Sequence, residues 1–350
     1  MRETWLEVTA RFRVNEGTSA SATSSFGAWA SPHAFSGVTA SPADAHAPRK
    51  VETADRSLAK EGRNRRIAGR KVQVACEVVS FIVTCRGVRG SVPVSGPQYQ
   101  RYGGATTCFE IDLEADHRLL IDAGTGALSI NSDLSSGPHH FTILLTHLHW
   151  DHTLSLPFFA PLYQPQNEFD FFGHMSGELT IDEALEAVMR PPWFPVSFRS
   201  APSTKRFHHL SGDPFTVEDI SVSYTRLYHP QGVTGYRLER DGVVLVVATD
   251  VEHGDSASDR AVRELAANAD VLIYDAQYYP QEHRDSKVGW GHSTWEAAVE
   301  VARDASVECL ILTSHDPSRA DDEIDAMVAQ AREHFPNTEA AAEGMKFEVG

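Results

Sequence analysis

The stretch FTILLTHLHWDH, from Phe141 to His152, decides how this chain is read. Its first half is an unbroken run of apolar and β-branched residues, the signature of a strand buried on both faces. The run ends on His147, His149, Asp151 and His152, four ligand-type side chains in six positions. Imidazole and carboxylate are ligands for Zn, Mn and Fe. On an extended backbone, His147 and His149 point to the same side. A turn at Trp150 then brings Asp151 and His152 round to a second point nearby, so one short loop offers ligands to two adjacent metals. The plainer alternative is a polar loop without a metal, but this density of ligands at the end of a buried strand argues for a site.

Two metals need more ligands than one loop supplies. In α/β proteins such residues lie at the C-terminal ends of strands. His229 ends SVSYTRLYH, Asp250 ends VVLVVATD and His315 ends LILTSH. Singly, each reads as a loop residue or a cap. Together, each at the same end of an apolar strand, they complete a ligand set. Asp250 suits a bridging role, because a carboxylate can bind one metal with each oxygen.

Around these points the chain is organised as one large α/β domain over residues 73–350. Strands are predicted in VACEVVSFIVTC, TTCFEIDL, RLLIDAG, FTILLTH, ISVSYTRLYH, TGYRLERDG, VVLVVATD, DVLIYDA and VECLILTSH. Helical periodicity is predicted in ASDRAVRELAANA, STWEAAVEVARDA and DDEIDAMVAQAREHF, with Ser293 or Thr294 and Glu296 capping the second. Residues 1–72 differ in texture: 17–48 are rich in Ser, Ala, Thr, Gly and Pro without an apolar period, and read as a disordered extension. Its basic run from Lys60 to Lys71 could touch an anionic partner or simply be solvated.

The chain has 350 residues, 48 acidic and 31 basic, for a net charge of −17. Residues 1–74 carry +5 and the remainder −22, which argues against a broad nucleic-acid surface. No run approaches the ~20 apolar residues of a membrane span. No apolar segment with a cleavage site opens the chain, so a cytoplasmic location is expected. The four cysteines, Cys76, Cys85, Cys108 and Cys309, form no CxxC pair and read as buried reduced thiols. DAGTGA at 122–127 has Ser129 where a dinucleotide fingerprint needs its third glycine. It reads instead as a tight turn beside the metal loop, with Asp122 fixing a ligand histidine. Residues 153–225 are rich in aromatics and proline. They read either as a packed cover over the sheet edge or as a substrate wall or oligomer contact exposing Phe158, Phe159, Tyr163, Trp193 and Phe194.

HLHWDH, followed by His229, Asp250 and a C-terminal histidine, resembles the metallo-β-lactamase fold hydrolases over roughly residues 75–335. RGSVPV, RYGGATTCFEI, LLIDAGTG and above all GWGHST at 289–294 resemble the branch of ribonuclease Z and the small phosphodiesterases of phosphonate metabolism. The resemblance implies a four-layer αββα sandwich with the metals at one edge. It implies that His147, His149 and His229 bind one metal, that Asp151, His152 and His315 bind the other, and that Asp250 bridges them. His292 matches the late His-Ser/Thr motif, whose histidine contacts the scissile phosphate or protonates the leaving group, and Asp275 falls where an acidic residue supports that histidine. Asp151, His292 and Asp275 are thus the residues assigned to catalysis, Asp151 doubling as a ligand. One position departs from the pattern: Ser314 stands directly after Leu312-Thr313, where ribonuclease Z has its last ligand, and His315 comes one place later. A one-residue shift turns a strand side chain to the other face unless a bulge restores the aim.

The implied chemistry is attack on phosphorus or carbonyl by a hydroxide held between two divalent metals, Zn with Mn or Fe as alternatives. The leading reading is a phosphodiesterase acting on a small, possibly cyclic, phosphodiester. The alternatives are a lactone, ester or thioester hydrolase, and a non-hydrolytic iron-binding or sensing member of the fold. The 153–225 segment lacks the long basic arm with which ribonuclease Z clamps tRNA, which with the acidic charge counts against tRNA. The resemblance also suggests a homodimer.

Overall fold

A computed structural model describes residues 81–113, 116–174 and 177–350. The expected extension at 1–72, its basic run, Cys76 and the first half of the VACEVVSFIVTC strand lie outside the described residues.

Among the described residues, fourteen strands form two sheets of seven. The first sheet takes β1 (Phe81–Gly87), β2 (Cys108–Asp112), β3 (His117–Ile121), β4 (His140–Leu144), β5 (Glu168–Gly173), β6 (Thr204–His209) and β14 (Lys346–Val349) in the order β14-β1-β2-β3-β4-β5-β6. The second takes β7 (Phe215–Val217), β8 (Ile220–Leu227), β9 (Val233–Arg240), β10 (Val243–Ala248), β11 (Val271–Asp275), β12 (Cys309–Thr313) and β13 (Thr338–Ala340) in the order β13-β12-β11-β10-β9-β8-β7. Within each sheet one half is parallel: β3 to β6 in the first and β10 to β13 in the second. These parallel strands include the continuous apolar runs that made the prediction possible. β10, β11 and β12 are buried at every position.

The layers follow from which faces are apolar. Phe81, Val83, Phe109 and Ile121 of the first sheet meet Tyr236, Leu245, Ile273 and Ile311 of the second in a central core. Three helices cover the outer face of the second sheet, α3 (Ser256–Leu265), α5 (Trp295–Asp304) and α6 (Asp321–His334), through Val262, Val299 and Met327. The outer face of the first sheet is covered by Ala127, Ile130, Phe159 and by Leu185 of α2 (Ile181–Val188). This is the four-layer αββα sandwich that the sequence implied. The helix caps also match: the Thr294 hydroxyl accepts from the Ala297 N–H at the start of α5.

Two features were not read from the sequence. The 153–225 segment supplies β5 and β6, which widen the first sheet, and most of its aromatics are packing: Phe159, Phe169, Phe171 and Phe198 are buried, while Phe158 and Trp193 are exposed. The C-terminal β14 closes the first sheet next to β1. Cys85, Cys108 and Cys309 are buried free thiols, as expected. Among the described residues no helix is long and apolar enough to cross a membrane.

Candidate metal centre

β4 runs out at Leu144, and the backbone carries Thr146 to His149 over the sheet edge before α1 (Trp150–Thr153) begins. His147, His149 and His229, the last just beyond β8, converge. His149 Nδ1 and His229 Nε2 are 3.1 Å apart, and the His147 ring lies 4.3 and 4.8 Å from the two others. His147 Nε2 is buried without any hydrogen-bond partner. Three imidazole nitrogens facing one another, one of them orphaned, cost free energy unless a cation satisfies them. The donor set therefore fits a divalent ion.

A second group adjoins the first. His152 Nε2 lies 3.1 Å from Asp250 Oδ2 and 3.3 Å from Asp151 Oδ2. Asp250, just past the end of β10, also has His147 Nε2 and His292 Nε2 at 3.9 Å from the same oxygen. Its other oxygen is taken up by hydroxyls: Thr249 donates to Oδ1 at 2.7 Å and Ser314 at 3.2 Å.

The ligand candidates are held from behind. Asp122, in the DAGTGA turn after β3, accepts from Thr146 N and from His152 Nδ1, at 2.8 and 2.7 Å. That leaves His152 Nε2 facing the centre, as a fixed tautomer requires. Gly124 in the same turn cannot carry a side chain, since a Cβ there would stand 2.2 Å from the Asp151 carbonyl oxygen. His229 Nδ1 donates to the Gly291 carbonyl at 2.6 Å, which frees its Nε2. The Ser91 N–H, in the RGS turn, donates to Asp151 Oδ2 at 2.7 Å.

His292 is oriented in the same way. Asp275, the last residue of β11, accepts from His292 Nδ1 at 2.7 Å and from the Ser293 N–H at 2.8 Å. Glu252 fixes the loop before it: its carboxylate accepts from the Gly289 and Gly291 N–H groups at 2.6 and 2.7 Å and from His283 Nε2 at 3.1 Å. Glu252 escaped the sequence reading. The available signal was a second acidic residue two places after Asp250 and, in GWG, two close backbone donors needing an acceptor.

Burial and neighbouring charge divide the histidines. Burial drives His147 well below its ordinary range, and His229 down to about 4. Burial opposes the charge on His152 and His292 too, but carboxylates outweigh it. Asp250, Asp151 and Asp122 raise His152 well above its usual value, and Asp275 and Asp250 raise His292 to about 9. Asp250 is held well below the carboxylate range, since His152 and His292 outweigh its desolvation.

His315 does not join this centre, which corrects the expectation. Ser314 adopts a left-handed φ of 57° at the end of β12, and the backbone turns His315 to the other side. Its Nε2 donates to the Ala341 carbonyl at 2.8 Å, and its ring packs edge-on against Tyr102. Burial, with Arg89 and Arg319 nearby, lowers it to about 4. No bulge rescues the aim. Of the seven ligand candidates, the structure brings together His147, His149, Asp151, His152, His229 and Asp250, and adds the Ser314 hydroxyl where His315 was expected.

The sequence profile of the Beta-lactamase superfamily domain matches residues 117–315, more than half of the chain. The chain belongs to the beta-lactamase superfamily. Within this superfamily it is 27% identical to the ribonuclease Z of Archaeoglobus fulgidus over 312 residues, covering 77% of this chain and 98% of that protein. Two solved structures share the fold. One is the metallo-beta-lactamase fold protein YhfI from Bacillus subtilis, at 19% identity and a TM-score of 0.58 over 77% of this chain and 100% of that one. The other is a diphosphatase from the PhnP family, at 18% and 0.55 over 76% and 96%. The chain thus has the metallo-beta-lactamase fold, with likeness in sequence to a ribonuclease Z and in structure to a PhnP-family diphosphatase.

Proposed function

We propose that this superfamily member is a two-metal phosphodiesterase acting on a small phosphodiester. The observation that carries the proposal is His292, held through Nδ1 by Asp275 with Nε2 turned towards the carboxylate–imidazole centre. Bound divalent ions, Zn with Mn or Fe as alternatives, would supply Lewis acidity to the phosphoryl group and to the attacking water. His147, His149, His229, His152, Asp151 and Asp250 would hold them. The remaining steps fall to the chain. His292 Nε2 donates a hydrogen bond to a phosphoryl oxygen or a proton to the departing alkoxide, and Asp275 stabilises the charge that His292 carries.

A cavity of about 430 Å³ opens on the centre, lined among others by Trp150, Asp151, Asp250, Trp290 and His292. Its size suits a nucleotide-like molecule. Trp150 and Trp290 are exposed at its mouth, where a planar ring could stack. The relatives named ribonuclease Z and diphosphatase support phosphorus rather than carbon as the electrophile. The ribonuclease Z similarity also favours a second reading, RNA as the substrate. The charge of −22 beyond residue 74 opposes it.

The test is metal analysis paired with hydrolysis of bis(p-nitrophenyl) phosphate, 2′,3′-cyclic nucleotides, a lactone and a precursor tRNA by one preparation. Turnover of the small diesters with bound metal is expected. Cleavage of the tRNA alone would favour the RNA reading, and turnover of the lactone alone would sink both.

A further inference from the structure

The two halves of the centre offer different chemistry. The first presents three imidazole nitrogens, from His147, His149 and His229. The second presents one imidazole, His152, with the carboxylates of Asp151 and Asp250. Ser314 is the residue of β12's end that reaches Asp250, and it brings a hydroxyl rather than an imidazole. Its Oγ stands 2.6 Å from Thr249 Oγ1, and both hydroxyls lie beside Asp250 Oδ1. The imidazole expected in this place, His315, is tied instead to the Ala341 carbonyl on the far side of the strand end.

We propose that the two metal positions are unequal. The three-histidine position retains Zn²⁺, while the oxygen-rich position around Asp151, His152 and Asp250 exchanges its ion and takes a harder divalent cation, such as Mn²⁺, in preference to Zn²⁺. The reason is ligand softness: imidazole suits Zn, whereas carboxylate, hydroxyl and water suit Mn and Mg. The inference rests on the two-metal reading and specifies how that site is loaded. The full chain is stripped with a chelator and titrated with Zn²⁺ against a chromophoric competitor. The protein carrying one Zn²⁺ is then titrated with Mn²⁺, read by loss of the free-ion EPR signal. One tight Zn²⁺ per chain is expected, followed by a weaker Mn²⁺ that exchanges on gel filtration. Ser314→His supplies the missing imidazole and should tighten a second Zn²⁺ by about 100-fold, since even outer partners of a ligand are worth 10–100-fold.

His292→Ala separates the remaining explanation, because His292 Nε2 stands 3.9 Å from Asp250 Oδ2. Unchanged Mn²⁺ affinity in that variant is expected. Loss of the second ion would show that His292 completes the position and would overturn the oxygen-rich assignment. Two equally tight Zn²⁺ ions in the wild type would overturn the inference and leave the two-metal reading standing. No bound ion at all would overturn both. The wild-type titration decides the matter even if Ser314→His fails to fold.

Discussion

Strand β4 begins on His140 and, three residues past its end, delivers His147, so one strand feeds a histidine–carboxylate cluster at each end. At the first end His117, His140 and His208 each reach a carboxylate. His140 and His208 both reach Asp170, at 2.6 Å each, while His117 reaches Glu218 at 2.8 Å and stacks on His140 at 4.0 Å. The His140 and His208 side chains are 37% and 41% exposed. At the other end His147 is 6% exposed, faces other imidazoles and keeps an orphaned nitrogen. Histidine density is the same kind of signal in both places. What separates this hydrogen-bonded surface from a metal centre is the convergence of several imidazole nitrogens on one point under burial.

Substitution at the converging end should therefore be ruinous. His147→Ala or Asp250→Ala is expected to cut hydrolysis by about 10³-fold or more, because metal Lewis acidity contributes several kcal/mol. Elemental analysis should show metal lost with it, and retention of both metal and rate would break the comparison. His292→Ala should cost roughly 10²–10⁴-fold in kcat with the tightly held metal unchanged. Asp122→Asn leaves the ligands in place but loosens His152, so metal affinity should fall about 10–100-fold in a competition titration.

His315 sharpens the contrast as a third kind, buried but structural. Its value near 4 lies below that of an exposed histidine, so the unfolded chain takes up the proton first and stability is lost as pH falls from about 6.5 towards 4. His315→Gln, which can still donate to Ala341, should flatten that loss by up to about 1.4 kcal/mol per pH unit, read from denaturant midpoints against pH. The smallest effect belongs to the paired end. His140→Ala should leave metal content and rate alone and change stability by less than about 1 kcal/mol, as exposed ion pairs do. A loss of metal there would contradict the distinction.

Much of this was legible because buried parallel strands announce themselves. FTILLT, VVLVVA and VLIYD are continuous apolar runs, and a charged residue at the end of each stands out. The strand TKRFHH at 204–209 was not legible, since five of its six residues are polar and its pairing is set by β5. Glu252 was missed for another reason: its partners include backbone N–H groups, which no spacing of side chains reveals. The one-place shift of His315 was visible in LILTSH, but the left-handed turn at Ser314 that settles where it points was not.

Asp122, Asp250 and Ser314 share that turn, with φ of 62°, 54° and 57°, just beyond the ends of β3, β10 and β12. Each such backbone costs a residue other than glycine on the order of 1 kcal/mol. Glycine at any of the three would relieve that backbone cost, but it would strip a carboxylate or hydroxyl from the centre or from its support. The rim of the sandwich is where durability and activity are traded against each other, and screens for tougher variants should hold those three codons fixed.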